Sequence, residues 1–138
     1  MPSPFESASL ILQLFELRRE PTLRDARSWF VKEFNPASFD EVVAGATARN
    51  DAFRMVIGYW DMAASLVTAN AIDADMFRAA NNEIVAAFAK IEPFLAELRA
   101  ATGVPELARH MEAVVMEMPD ARARLELMRR QWREGAAQ

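Results

Sequence analysis

The sequence predicts an all-α fold: a single-domain antiparallel bundle of about six or seven helices. Apolar residues recur every three or four positions along most of the chain, and capping patterns precede several of these runs. No alternating strand pattern is followed by an Asn-Gly or Asp-Gly turn. The 138 residues suit one domain, residues 1–138, with a frayed tail from about residue 134.

Two helices are predicted near the N-terminus. The first begins at Ser3-Pro4-Phe5-Glu6, where serine and glutamate side chains can satisfy free backbone N–H groups, and it stops before Pro21. The second runs from about Thr22 to Phe34 and is closed by Asn35-Pro36.

The middle of the chain predicts a short third helix from Ser38 and then a long one with an apolar stripe from Phe53 to Val67. Gly45 leaves open whether the third helix continues past it. A break at Asn70-Ala71-Ile72 follows, and Asp73 is a candidate cap for a new turn.

Three further helices are predicted toward the C-terminus. The clearest core helix spans Ile84 to Leu98, with a kink expected at Pro93. Gly103-Val104-Pro105 indicates the end of one helix and the start of the next, and Pro119 is expected to open the last.

Composition excludes several classes of site. The chain has no cysteine, which rules out disulfides and thiolate metal sites, and His110 is its only histidine. Neither a helical zinc motif nor a Gly-rich phosphate loop is present. We therefore predict no metal, no cofactor and no catalytic residue, which favours a non-enzymatic protein over an enzyme.

Net charge and hydropathy indicate which partners and which cellular location to expect. The net charge of −4 argues against a general nucleic-acid binder, although residues 16–32 and 119–138 each carry five basic and three acidic side chains. The apolar runs are too short to span a membrane, and the N-terminus resembles no export signal. We expect a cytoplasmic protein.

A candidate interhelical pocket or buried polar network combines aromatic and charged side chains. Asp61 interrupts the apolar stripe of the long helix and is expected to pair with an arginine. Arg27 lies one position from an apolar face, where a partly buried pair with a carboxylate would fix how the second helix docks. Whether these two residues meet is left open. The candidate set is Arg27, Trp29, Tyr59, Trp60 and Asp61.

A candidate interface comes from the first and last helices. Apolar residues cover more than one face of the first helix, so it is either central in the bundle or in contact with another chain. The basic last helix could grip an acidic partner, or it could be an ordinary solvated face. The candidate interface residues are Leu10, Leu14, Leu17, Arg129, Arg130 and Trp132.

The stretch from Leu14 to Pro36, with Leu14-Phe15-Glu16-Leu17-Arg18-Arg19-Glu20-Pro21 at its start, resembles a group of small bacterial helical proteins catalogued as a domain of unknown function. Tyr59-Trp60-Asp61-Met62-Ala63 and the helix end at Leu98-Arg99 are similar as well. The resemblance implies a helical fold and supplies no reaction, cofactor or catalytic residue. Members often carry an N-terminal membrane segment, which this sequence lacks.

The leading functional hypothesis is a non-enzymatic protein-protein interaction module that forms a homo-oligomer or docks one protein partner. The alternative is a small-molecule-binding protein or an unusual enzyme that uses the candidate pocket, with the identity of the small molecule unknown. A third hypothesis, nucleic-acid binding, requires the two basic segments to converge on one face.

Overall fold

The computed structural model describes residues 1–137, and across this range the chain is helical, with no strand. This confirms the all-α prediction. The nine α-helices of this range are α1 (Pro4–Arg18), α2 (Pro21–Lys32), α3 (Phe39–Ala48), α4 (Asn50–Thr68), α5 (Ala74–Ala80), α6 (Glu83–Ile91), α7 (Leu95–Thr102), α8 (Arg109–Met116) and α9 (Ala121–Ala137).

Side-chain hydrogen bonds cap the starts of the first two helices. Ser3 Oγ accepts a hydrogen bond from Glu6 N at 3.1 Å, and Ser3 N donates to Glu6 Oε1 at the same distance. This reciprocal capping box starts α1, which ends ahead of Pro21 as predicted. Helix α2 begins at Pro21, where Glu20 caps Leu23 N at 2.8 Å, and it ends two residues before the predicted Phe34.

Helix α3 continues through Gly45, which answers the question that the sequence left open. A Cβ atom at Gly45 would lie 2.7 Å from two carbons of the Phe34 ring. Glycine is therefore needed here because α3 packs closely against the end of α2. The short third helix followed by a long one, as predicted, is confirmed by α3 and α4.

The predicted core helix from Ile84 to Leu98 is divided rather than kinked. A 3₁₀ turn at Glu92–Phe94 separates α6 from α7, because Pro93 has no N–H group to continue the α-helical ladder. The predicted start of the following helix also differs from the observed one. Gly103, with φ of 70°, ends α7 as predicted, but residues 104–108 form turns before α8 starts.

The last helix also departs from the prediction. It begins at Ala121 and not at Pro119, because Asp120 takes a left-handed conformation with φ of 55°. It extends to Ala137, the tail expected to fray from about residue 134 stays a prediction, and Gln138 lies outside the described residues.

Helix α4 lies at the centre of the bundle and packs against α2, α3, α6 and α8. Helix α9 covers α6 and α8, and α1 lies at the edge, against α2 and α5. One hydrophobic core reaches from Leu14 to Leu125, with Trp60, Phe30, Phe77 and Phe88 among its largest fully buried side chains. No helix within residues 1–137 is long and apolar enough to cross a membrane.

Candidate functional site

Two adjoining cavities run along the edge formed by α1 and α2. One, of about 380 Å³, is lined by Phe15, Arg18, Arg19, Arg24 and Arg27. The other, of about 280 Å³, shares Arg24 and Arg27 and continues to Lys32 and Glu83. We refer to the pair of cavities as the arginine cleft.

Arg27 forms the inner wall of the arginine cleft and joins three helices. Its Nε and Nη2 atoms each donate to one carboxylate oxygen of Glu83 at 2.8 Å, and Nη1 donates to the Arg18 carbonyl at 3.2 Å. The hydrogen bonds with Glu83 raise the pKa of Arg27 above its ordinary value. The predicted carboxylate pairing of Arg27 therefore exists, and its acid is Glu83 on α6, not Asp61.

Two other arginines of the cleft have no carboxylate within salt-bridge distance among the described residues: Arg18 and Arg24. The Arg18 guanidinium carbon lies 5.1 Å from the Phe15 ring centre and 5.5 Å from that of Trp60, and its buried Nε has no hydrogen-bond partner. Stacking on aromatic rings holds Arg18 in place without neutralising it.

The fourth arginine, Arg19, pairs with Glu16 at 3.2 Å, and both side chains are exposed. Such a surface pair contributes little and is easily exchanged. The cleft therefore contains more positive charge than its own acids match.

Tyr59 and Trp60 belong to the core. The Tyr59 hydroxyl donates to the Leu14 carbonyl at 2.6 Å, which ties α4 to α1. Burial raises the pKa of Tyr59 to about 12. Trp60 has no exposed surface, and its indole nitrogen is buried without a hydrogen-bond partner.

Asp61, on α4, accepts hydrogen bonds from the backbone of α8. Its Oδ1 atom accepts hydrogen bonds from the backbone N–H groups of His110 at 2.9 Å and Met111 at 3.0 Å. These N–H groups lie in the first turn of α8, where they have no intrahelical acceptor, so Asp61 caps α8 from outside. The expectation that Asp61 pairs with an arginine was wrong.

The five predicted pocket residues therefore have separate surroundings. Trp29 stacks on Phe34 with ring centres 5.2 Å apart, and the Arg49 guanidinium carbon lies 5.6 Å from the Trp29 ring centre. Of the predicted set, only Arg27 lines the arginine cleft.

Lys90 is a buried cation that the sequence analysis missed. The side chain is 3% exposed, and burial lowers its pKa to about 8. Its Nζ lies 2.7–2.9 Å from four oxygens, which share its three N–H donors: the carbonyls of Phe30, Val31 and Phe34 and the Asn35 side chain. It therefore satisfies the C-terminal carbonyls of α2. The apolar residues on all sides of α6 could have indicated that this lysine is buried.

The candidate interface residues on α9 are divided by the fold. Arg129 is 6% exposed and donates to the Ala89 carbonyl, Glu92 and Glu126. Trp132 packs partly buried against the core, with its ring centre 5.1 Å from Lys90 Nζ. Arg129 and Trp132 thus stabilise the bundle, and only Arg130 of the three is exposed.

The candidates on α1 divide in the same way. Leu14 is buried, Leu10 is half-buried and Leu17 is exposed. A different set of apolar side chains points outward from α1: Phe5, Leu12 and Phe15 are 82%, 64% and 48% exposed. Together with the half-buried Ala8, these three residues form what we call the α1 seam.

A larger apolar groove of about 670 Å³ lies between α3, α4 and α7 and extends to the segment before α8. Its lining includes Phe39, Val43, Phe53, Leu98, Val104 and Leu107, with Thr47, Asn50, Arg54 and Thr102 as polar groups. Its size and lining are typical of a small-molecule site.

His110 and the acidic residues do not form a metal site. The Thr68 hydroxyl lies 2.7 Å from His110 Nδ1 at the surface. Among residues 1–137, no group of three or more histidine, aspartate and glutamate side chains is arranged to hold a metal ion.

The chain matches, over residues 4–118, the family described as Domain of unknown function (DUF4760), and it belongs to that family. The matched range includes α1 to α8 and both walls of the arginine cleft, while α9 lies outside it. No curated protein matches the chain significantly, and neither does any solved structure.

Proposed function

We propose that this DUF4760 protein is a non-enzymatic interaction module that self-associates by pairing the α1 seam with that of a second copy. The observation that carries the proposal is the spacing of the seam. Phe5, Ala8, Leu12 and Phe15 follow one another by three, four and three residues, the spacing at which two helices pack side by side.

The seam is also complementary to itself. If two α1 helices pair antiparallel, Phe5 of one copy lies opposite Phe15 of the other, and Ala8 lies opposite Leu12. Large residues thus meet at the two ends, while a small and a medium residue meet in the middle. A two-fold dimer requires this kind of self-matching surface.

The inner face of α1 is already held within the chain, so the seam is not required for packing α1 on the bundle. Ser7 Oγ accepts a hydrogen bond from Asp73 N at 2.9 Å, and Tyr59 binds the Leu14 carbonyl. Exposed large apolar side chains concentrated on one helix face are typical of an interaction surface. A cytoplasmic location is part of this proposal, in keeping with the cysteine-free composition.

Sedimentation velocity over a wide protein concentration range tests the proposal. We expect the native chain to form a dimer and Leu12→Glu to remain monomeric, because the substitution places a charge in the middle of the seam. The matched control is Leu127→Glu, which changes a comparably exposed leucine, 49% against 64%, on α9. A native chain that stays monomeric at millimolar concentration would contradict the proposal, as would equal effects of the two substitutions.

Disulfide trapping tests the antiparallel arrangement, and the absence of native cysteines makes it specific. A mixture of the Phe5→Cys and Phe15→Cys chains is expected to form the mixed disulfide dimer under mild oxidation. Each variant alone is expected to crosslink poorly. Efficient crosslinking of each variant with itself would indicate parallel pairing instead.

The apolar groove favours a second candidate function, binding of a small apolar molecule. Native mass spectrometry of the untagged protein would then show a retained mass on the chain. Ala46→Trp, which adds bulk to the lining of the groove, is expected to eliminate that mass. A clean mass in the native protein, unchanged by extraction with organic solvent, would contradict this function.

A further inference from the structure

We propose that the arginine cleft binds a small ligand through a phosphate-type dianionic group. The proposal rests on residues that converge from α1 and α2 around a concave space, and not on the basic composition of the segment. It goes beyond the proposed self-association, although the cleft and the α1 seam share one residue, Phe15.

The charges inside the cleft indicate the class of ligand. Arg27 is paired with Glu83 and Arg19 with Glu16, whereas Arg18 and Arg24 have no carboxylate partner among residues 1–137. Two unmatched guanidinium groups are neutralised by one doubly charged anion. Guanidinium groups also present several N–H donors in a plane, which suits the tetrahedral oxygens of a phosphate monoester.

Contacts within the chain hold the Arg18 and Arg27 guanidinium groups in place. Arg18 lies against Phe15 and Trp60, so its guanidinium is positioned before any anion arrives. Arg27 is fixed by Glu83 and the Arg18 carbonyl, which makes the inner wall rigid. The first cavity alone, at about 380 Å³, falls within the range of small-molecule sites.

Phe15 adds an apolar surface to the four arginines. Its ring is 48% exposed and forms one wall of the first cavity. A ligand that carries an apolar or ring-shaped part beside its phosphate would contact both, whereas inorganic phosphate would use only the charges. The cleft therefore suits an organic phosphate better than the free ion.

The test is a titration followed by amide chemical shifts, with inorganic phosphate, phenyl phosphate and sodium chloride as probes at constant ionic strength. We expect saturable shifts confined to residues near 15–32 and tighter binding of phenyl phosphate than of inorganic phosphate. Arg24→Gln is expected to weaken binding about tenfold or more, the effect of losing one charged hydrogen-bond donor. Arg24 is exposed, so this variant is expected to fold normally.

The matched control is Arg130→Gln, which removes an equally exposed arginine on α9 and is expected to leave binding unchanged. A further arm compares phosphatidylcholine vesicles with and without phosphatidic acid. Binding of either the soluble phosphate or the vesicle phosphomonoester, with dependence on Arg24, supports the cleft and identifies which source it takes. Non-saturable shifts, or equal weakening by the two substitutions, would overturn the proposal.

Discussion

On the side of the molecule where α6 meets α9, Lys90 and Arg129 are buried and donate to carbonyl and carboxylate oxygens within the chain. In the arginine cleft, Arg18 and Arg24 have no such acid among the described residues. Both regions concentrate positive charge between helices. They differ in whether the chain supplies the acceptors.

This difference separates residues that maintain the fold from residues available for other molecules. A buried charge is tolerated only when hydrogen-bonded, so Lys90 and Arg129 must keep their acceptors for the bundle to be stable. Arg24 and Leu12 lie at the surface and satisfy nothing inside. Substitutions of Lys90 or Arg129 should therefore lower stability, whereas substitutions of Arg24 or Leu12 should change binding and leave stability nearly unaltered.

The largest expected effect on stability is that of Lys90→Met, about 3 kcal/mol of lost unfolding free energy. The substitution keeps the apolar length of the side chain but leaves four oxygens, two in buried and two in partly buried hydrogen bonds, without their donor. Urea denaturation measures the loss. Lys32→Met, at an exposed position of α2, is the control and is expected to change stability by less than about 0.5 kcal/mol. Similar losses for both would contradict the structural role of Lys90.

Arg27→Gln is expected to cost about 2 kcal/mol, because Glu83 loses a bidentate partner at a partly buried site. A double-mutant cycle with Glu83→Gln should give a coupling energy of about 1 to 2 kcal/mol. The same cycle for the exposed Arg19 and Glu16 should give less than about 0.5 kcal/mol. Equal coupling energies for the two pairs would contradict the view that Arg27 is held firmly by Glu83 while the Arg19–Glu16 pair contributes little.

Alkaline pH should stabilise the native protein relative to Lys90→Met. Burial places the pKa of Lys90 near 8 against an ordinary 10.5, so between these values the unfolded chain binds more protons than the folded one. Unfolding free energy therefore rises with pH in this window, by about 1 to 2 kcal/mol from pH 7.5 to 9.5. Denaturation at the two pH values measures the change, and a rise of the same size in Lys90→Met would contradict it. Above pH 10 the raised pKa of Tyr59 makes the unfolding free energy fall as pH rises, because the folded chain then binds more protons than the unfolded chain.

Asp61→Ala should cost about 1 kcal/mol, the usual loss for a helix cap. Hydrogen exchange at the His110 and Met111 amides should accelerate, because these two groups lose their acceptor. Asp75→Ala removes an almost fully exposed aspartate and is the control. Unchanged exchange at α8 in Asp61→Ala would show that the cap is not needed.

The smallest expected effect is that of Arg24→Gln and Leu12→Gln on unfolding free energy, less than about 0.5 kcal/mol for each. Denaturation of monomeric protein at low concentration checks this. A loss above about 1 kcal/mol in either variant would place these residues among those that maintain the fold, and the comparison between the two regions would fail.

Local signals in the sequence were sufficient for much of the fold. Ser3 and Ser38 each cap the helix predicted from them, because each side chain satisfies a backbone N–H group three residues away. The helical spacing of apolar residues likewise predicted the stripe of α4. Boundaries set by backbone geometry, such as the start of α9 after Asp120, had no comparable signal.

The candidate site was predicted only in part. Arg27 was correctly singled out for a carboxylate partner, but its acid is 56 residues away along the chain. Asp61 and Lys90 bond to groups 49 or more residues away, on helices that periodicity cannot place next to them. The excess of apolar residues on α1 left open whether this helix is central in the bundle or meets another chain, and the identity of the seam required knowing which face is buried.

The sequence by itself determined the helical class, the starts of α1, α2 and α3 and the surplus of apolar residues on α1, because these depend on neighbours within a turn or two. Tertiary structure alone decided which charges are neutralised. Pairing between distant residues depends on how the helices cross, and one composition allows many crossings. The arrangement of α1, α2 and α6 gives Arg27 its acid and, among residues 1–137, leaves Arg18 and Arg24 without one.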